Sequence, residues 1–240
     1  MTNSILRPPL LLLHGALGAA AQFAALCPLL EPHFRVFTLD FEGHGPRPAA
    51  ARGYQLAFFV DNIAAFIAAE SLPAVRIFGY SMGGYAALVL AARQPELVYS
   101  VMTLGTKFFW DEPTATREAA RLDPATIKAK VPAFAHALAA RHASGAGWEA
   151  VVRGTATVLH GLGAEPLLPP AVLAGIRQPV RVLVGDRDAT VPLEETATAY
   201  RTLPLGQLAV LPGVGHPLER IPSAVLAAHI DAFFRPEPAA

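Results

Sequence analysis

One cysteine, Cys27, is all the thiol chemistry this 240-residue chain contains. A lone thiol cannot build an internal disulfide framework, and its setting, "AALCPLL", reads as buried packing, so a reducing, cytoplasmic location is expected. An excess of one charge is also missing: 19 lysines and arginines balance 19 aspartates and glutamates, with a pI near 7.1. Such a chain has no global field to draw nucleic acid or an anionic membrane, so neither is expected as a partner. No apolar run approaches the roughly 18 residues that cross a bilayer. The opening "MTNSILRPPLLLLHG" sets Arg7 before an apolar run as a secretory signal does, yet that run is short and no small-residue cleavage site follows it. Internal repeats are lacking, and "PEPAA" at the end reads as a frayed tail. The histidines His136, His142 and His160 read as surface or core residues; no spacing among them suggests a metal site, and none is expected.

What the chain does have is apolar residues, 53% of the total, in an amount and length that suit one domain with room for an insertion. Short apolar runs without polar alternation mark strands buried on both faces: Leu10 to Leu13, Val36 to Leu39, Val75 to Phe78, Val98 to Leu104, Val180 to Val184 and Leu208 to Leu211. Between them lie alanine-rich segments with helical spacing, Ala19 to Leu30, Leu56 to Ser71, Met82 to Arg93 and Ala224 to Phe234. Alternation of this kind specifies the α/β class with a mostly parallel sheet of about six strands. It fails between residues 106 and 177, where "EPTATREAARLDPATIKAKVPAFAHALAARH" and "GWEAVVRGTATVLHGLG" are consecutive helical patterns cut by Pro124, Pro132, Gly145 and Gly147. That stretch is read as an inserted helical cap on a core of residues 1–105 and 178–240.

The run "AVRIFG" leads into Phe78-Gly79-Tyr80-Ser81-Met82-Gly83-Gly84. With 19 glycines and 6 serines in the chain, Gly-x-Ser-x-Gly arises by chance about 0.04 times. The spacing has a steric reason. A serine on a sharp strand-to-helix turn is strained, and side chains at positions 79 and 83 would strike neighbouring backbone. A serine hydroxyl near neutral pH also needs a base in reach and a third group to orient that base. "PVRVLVG" is followed by "DRDATVP", which puts Asp186 and Asp188 at one strand end. "QLAVLPG" is followed by "VGHPLE", which puts His216 at the next. Serine, acid and histidine thus share the carboxyl edge of the sheet, where open α/β sheets bind ligands.

Through "HGALG", "DFEGHG", "GYSMGG", "GDRDATVP" and "GVGHP", in that order and over nearly the whole chain, the sequence resembles the α/β-hydrolase fold family. By position, the resemblance implies Ser81 as nucleophile, His216 as general base and then acid, and Asp188 as the orienting carboxylate, with Asp186 and Asp111 as alternatives. It implies backbone N–H groups of Ala16 and Met82 as the oxyanion hole, with Leu17 a substitute for Ala16, and His14 as a structural anchor of that loop. The aromatics of "KFFWDEP" and Trp148 suit cap packing; Trp110 is the one chosen as a substrate contact, together with Leu17. Two departures stand out: Arg47 occupies a place where serine is common, and the first strand begins near Leu10, so six core strands are expected where the family has eight.

The implied activity is cofactor-free serine hydrolysis of an ester or related acyl bond of a small molecule, by a monomer or homodimer. The fold and triad do not name the substrate. A menaquinone-pathway lyase, succinyl-hydroxycyclohexadiene-carboxylate synthase, also carries "GYSMGG" but commonly follows it with arginine, where this chain has Tyr85. A slow-turnover ligand receptor on the same fold is the alternative from a different class.

Overall fold

The computed structural model describes residues 7–235; the expected frayed tail at 236–240 lies outside them. Six parallel strands form one sheet: β1 Pro9–Leu13, β2 Arg35–Leu39, β3 Val75–Tyr80, β4 Val98–Leu104, β5 Val180–Gly185 and β6 Gly206–Leu211, ordered β2-β1-β3-β4-β5-β6. The chain crosses between them through α1 Cys27–Leu30, α2 Leu56–Ala69, α3 Met82–Arg93 and α9 Leu193–Thr202, and α10 Ser223–Phe234 follows the last strand. Between β4 and β5 come five helices in succession: α4 Glu112–Ala119, α5 Pro124–Lys130, α6 Pro132–Arg141, α7 Trp148–Ala164 and α8 Pro170–Gly175.

Alternation of side chains along a strand divides the core in two. Leu11 and Leu13 of β1 pack with Val75, Ile77, Val180 and Val182 beneath α2 and α3. Leu10 and Leu12 face the other way, with Phe78, Met102 and Leu183, beneath α1 and α10. Strands β1 and β3 are buried at every position, while the edge strands β2 and β6 are mostly half-exposed. Unalternating apolar runs therefore mark the middle of the sheet. A third cluster joins Ile127, Leu138, Trp148, Val151 and Val152 of the insertion to one residue from a core loop, Leu17. The last helix of the insertion does not belong to that cluster: Leu173 of α8, with Ile176, buries against the main core beside Ala199 of α9.

The continuous helix expected over Ala19 to Leu30 is interrupted. A 3-10 turn covers Ala20–Phe23 and α1 starts only at Cys27, with Pro28 in its first turn. A proline lacks the N–H and crowds the carbonyl that a continuing helix would need, so it fits only at a helix start. Helix α9, "LEETATAYRT", has too few apolar residues to stand out in the sequence; it packs its Thr196 and Ala199 inward. Among the described residues, no helix is long and apolar enough to cross a membrane.

Candidate active site

The carboxyl ends of five strands converge on one cavity of about 330 Å³, whose lining includes Ala16, Leu17, Ser81, Met82, Trp110 and His216. Its walls are largely apolar, with Leu56, Tyr85, Leu162 and Val191 among them.

Ser81 joins β3 to α3 with φ 51° and ψ −115°, a conformation that a non-glycine residue adopts only when its surroundings impose it. The imposing contacts are close by. Its N–H donates to the Leu104 carbonyl (2.8 Å), and its own carbonyl accepts from Gly84 N–H (3.0 Å) and from the Thr106 hydroxyl (2.9 Å). The flanking glycines explain themselves sterically: a Cβ at 79 would lie 2.5 Å from the backbone of Gly84, and one at 83 would lie 2.5 Å from the carbonyl oxygen of His14. Helix α3 begins at Met82, so its unpaired N–H groups and positive dipole end face the serine.

His216 stands on the loop after β6, and its Nδ1 bonds to Asp188 Oδ2 at 2.8 Å. The other carboxylate oxygen accepts two backbone N–H groups, from Thr190 (2.8 Å) and Val191 (2.9 Å). The Asp188 side chain is only 2% exposed. Desolvation on its own raises the pKa of such a group, but the bond from His216, that residue's charge and the two N–H donors outweigh it, and the carboxyl sits below its ordinary value. With Nδ1 engaged, Nε2 is the nitrogen left for the cavity that Ser81 shares. Among the described residues no hydrogen bond joins the serine hydroxyl to the ring, although both line the same cavity.

The three carboxylates considered from sequence separate by geometry. Asp186 is exposed and braces a turn, accepting the Gly213 N–H at 2.6 Å. Asp111 caps α4 through Thr114 N–H at 2.8 Å. Only Asp188 meets His216.

Of the two expected oxyanion residues, Ala16 and Met82 both line the cavity beside Ser81, as does Leu17. His14 is fully buried; its Nδ1 pairs with the Gly15 carbonyl (2.8 Å) and its Nε2 accepts the Phe41 N–H (3.2 Å). Burial lowers its pKa to about 4, which keeps the ring neutral. Trp110 reaches the cavity, whereas Phe108 is core and Trp148 belongs to the insertion's own cluster.

Several site residues were not legible in the sequence. Tyr80 donates its hydroxyl to the His216 carbonyl (2.9 Å) and lays its ring 5.5 Å from the imidazole, so it positions that loop. Its place one residue before Ser81 in a strand gives no hint of this. Glu195 of α9 accepts N–H groups from Phe108 (2.6 Å) and Phe109 (3.1 Å) and the Lys107 ammonium (3.1 Å), which fixes the segment bearing Trp110. Tyr85 lines the cavity, and its hydroxyl accepts the N–H groups of Leu167 (3.1 Å) and Leu168 (3.0 Å). Among the described residues, no group of three or more His, Cys, Asp or Glu is placed to hold a metal ion.

A model of the alpha/beta hydrolase fold matches residues 8–144. The chain is 30% identical over 236 residues to the pimeloyl-[acyl-carrier protein] methyl ester esterase of Aromatoleum aromaticum, an alignment covering 88% of this chain and 91% of that protein. It is 36% identical over 109 residues to the human serine hydrolase-like protein, covering 45% of this chain and 54% of that protein. The chain thus spans about half the length of that human relative. A thermophilic esterase from Thermogutta terrifontis has the same fold, with a TM-score of 0.77 and 23% identity over 96% of this chain and 90% of that one.

Proposed function

We propose, from the premise that this chain belongs to the α/β-hydrolase fold family, that it is a serine hydrolase that cleaves an ester or related acyl bond of a small molecule. The observation that carries the reading is the 2.8 Å bond between His216 and a buried Asp188, on the rim of the cavity into which the strained Ser81 faces. The esterase relatives support hydrolysis in general; the serine mechanism rests on this geometry.

In the proposed reaction the substrate carbonyl enters the cavity and the Ser81 hydroxyl attacks it as His216 Nε2 takes the proton. The backbone N–H groups of Ala16 and Met82 receive the oxyanion, each donor contributing ~10² to 10³ in turnover. Asp188 holds the imidazole with Nε2 toward the serine and stabilises its cation. The proton then passes from Nε2 to the departing alcohol, leaving an acyl-serine. Water, deprotonated by the same nitrogen, attacks that ester, and Ser81 recovers its proton as the acid leaves. No cofactor takes part. The helical insertion acts as a cap: Trp110, Leu159 and Leu162, together with Leu17, present an apolar wall to the acyl or alcohol group. A half-buried single thiol fits a cytoplasmic setting.

The lyase alternative is disfavoured at Tyr85. Where that type carries a cation, this chain presents a phenol whose oxygen is already occupied by two backbone N–H groups. The receptor alternative has no structural observation in its favour.

Turnover of p-nitrophenyl acetate and butyrate by the wild-type protein and by Ser81→Ala tests the reading. The expected result is a loss of at least ~10³-fold in kcat, with covalent labelling of the wild type alone by a fluorophosphonate. Undiminished turnover in Ser81→Ala would overturn it.

A further inference from the structure

We infer that Arg141 and His142, at the end of α6, are positioning residues that hold the oxyanion turn in its working shape. The inference rests on the serine-hydrolase reading above.

Residues Gly15 to Gly18 form a turn closed by a 3.0 Å bond from Gly18 N–H to the Gly15 carbonyl. Its third position is Leu17, at φ 58°, where such turns ordinarily use glycine. A leucine there is strained, and a turn of this kind left alone would relax. The restraint comes from the insertion. The Leu17 carbonyl accepts the Arg141 Nη1–H at 2.9 Å and pairs with His142 Nε2 at 3.1 Å. The Leu17 side chain is buried with Leu138, Trp148, Val151 and Val152, all from the insertion. Rotating the Leu17–Gly18 peptide would break three hydrogen bonds, the two to the Leu17 carbonyl and the one from Gly18 N–H that closes the turn, and moving the residue would empty an apolar pocket. The N–H groups of Ala16 and Leu17 in the same turn are therefore held where the oxyanion would form.

The imidazole of His142 has a defined role in this clamp. It is fully buried, and its Nδ1 accepts the N–H of Gly45 at 2.9 Å, so the ring's proton is on Nε2 and is donated to Leu17. One neutral side chain therefore joins the oxyanion turn to the loop after β2. Gly145 lets the chain after α6 press on that loop, since a Cβ there would meet the Gly45 carbonyl oxygen at 2.4 Å. The other arm of Arg141 extends the clamp: Nη2 bonds to Glu219 Oε1 at 2.9 Å, an oxygen that also accepts the Gln22 amide at 2.7 Å. Glu219 lies three residues beyond His216. A single guanidinium thus links the segment that receives the oxyanion to the segment that carries the base, and the insertion shapes the site as well as covering it.

The test uses a pair of amide substitutions that each keep half of the imidazole's bonding. His142→Asn retains an acceptor for Gly45 N–H and gives up the donor to Leu17; His142→Gln retains that donor and gives up the acceptor. With p-nitrophenyl butyrate, His142→Asn is expected to lower kcat by about 10- to 100-fold at unchanged KM, while His142→Gln stays within a few-fold of wild type. Affinity for a trifluoromethyl ketone, which forms a hemiketal oxyanion on the serine, should fall by the same factor as kcat/KM. Arg141→Met, at a partly exposed position, repeats the test should the histidine variants fail to fold, and Arg141→Lys should recover part of its loss. Equal kcat losses in the Asn and Gln variants, or lowered melting temperature with kcat and ketone affinity unchanged, would overturn the inference. If Ser81→Ala is inactive and His142→Asn and Arg141→Met are fully active, the clamp alone fails; if Ser81→Ala remains active, the serine-hydrolase reading itself fails.

Discussion

Ser81 and Leu17 face the same cavity, each with a positive φ, 51° and 58°, yet they are held in opposite ways. Ser81 is confined by its own neighbourhood: glycines at 79 and 83 that admit the turn, and a hydrogen bond to the adjacent strand β4. Leu17 is confined from a distance, by hydrogen bonds to residues 124 and 125 positions away and by the apolar interior of the insertion. Strain at a functional site needs surroundings that over-determine it. Here one half of the site draws that restraint from the sheet and the other from inserted helices. The half built on the sheet should be robust to changes in the insertion, and the half built on the turn should not.

The largest expected effect concerns the sheet-borne half. Asp188→Asn should cut kcat on a p-nitrophenyl ester by ~10³ to 10⁴, because the amide favours the wrong tautomer of His216. Asp186→Asn, two residues away, should leave kcat unchanged and shift stability by less than ~0.5 kcal/mol; similar losses in both would remove the distinction drawn between them.

Acid should strike the turn-borne half first. Burial is the leading cause that lowers the pKa of His14 to about 4, of His44 well below its ordinary 6.5, and of His142 below that value. The His44 ring lies edge-on to His142 with centroids 6.0 Å apart and tilted to His14 at 5.0 Å, and Arg141 adds a fixed charge nearby. Each of these rings takes up a proton more readily in the unfolded chain than in the folded one. Their effect is therefore absent above pH 6.5, and stability is lost progressively as pH falls from 6.5 toward 4. For His14 alone that loss is on the order of 3 kcal/mol. Thermal melts between pH 7 and 4.5 should show a falling midpoint in this window, ahead of carboxylate titration. A flat profile would count against neutral buried rings.

A pair of glycine substitutions gives the finest comparison. Ser81→Gly relieves local strain and removes only a hydroxyl, so it should raise stability by up to about 1 kcal/mol. Leu17→Gly relieves similar strain but empties a buried apolar site, so it should lower stability by about 2 kcal/mol. At roughly 2–4 °C per kcal/mol for a chain of this size, melting temperatures should move in opposite directions. Movement in the same direction would mean that the two strained residues are held alike.

The legibility of the site follows the same division. The six strands, the helix after Ser81 and the glycines flanking it can be read from apolar runs and one short pattern, because each depends on neighbours a few residues apart. Tyr80, Glu195 and His142 could not be read that way. Their partners, the His216 carbonyl, the Phe108 N–H and the Leu17 carbonyl, are 136, 87 and 125 residues distant, and no residue type announces such a bond. The helix expected across Ala19 to Leu30 is broken for a local reason: its alanines favour helix, but Pro28 sits where a continuing helix needs an N–H.

By itself the sequence determined an α/β chain whose serine, acid and histidine fall in order at the ends of its third, fifth and sixth strands, since strand burial and turn sterics are written in short-range patterns. Only the tertiary structure decided which aspartate meets His216, and that the end of an inserted helix grips the turn at Leu17. Those outcomes depend on how loops and helices far apart in the chain dock against one another, and docking geometry has no periodic signature in the sequence.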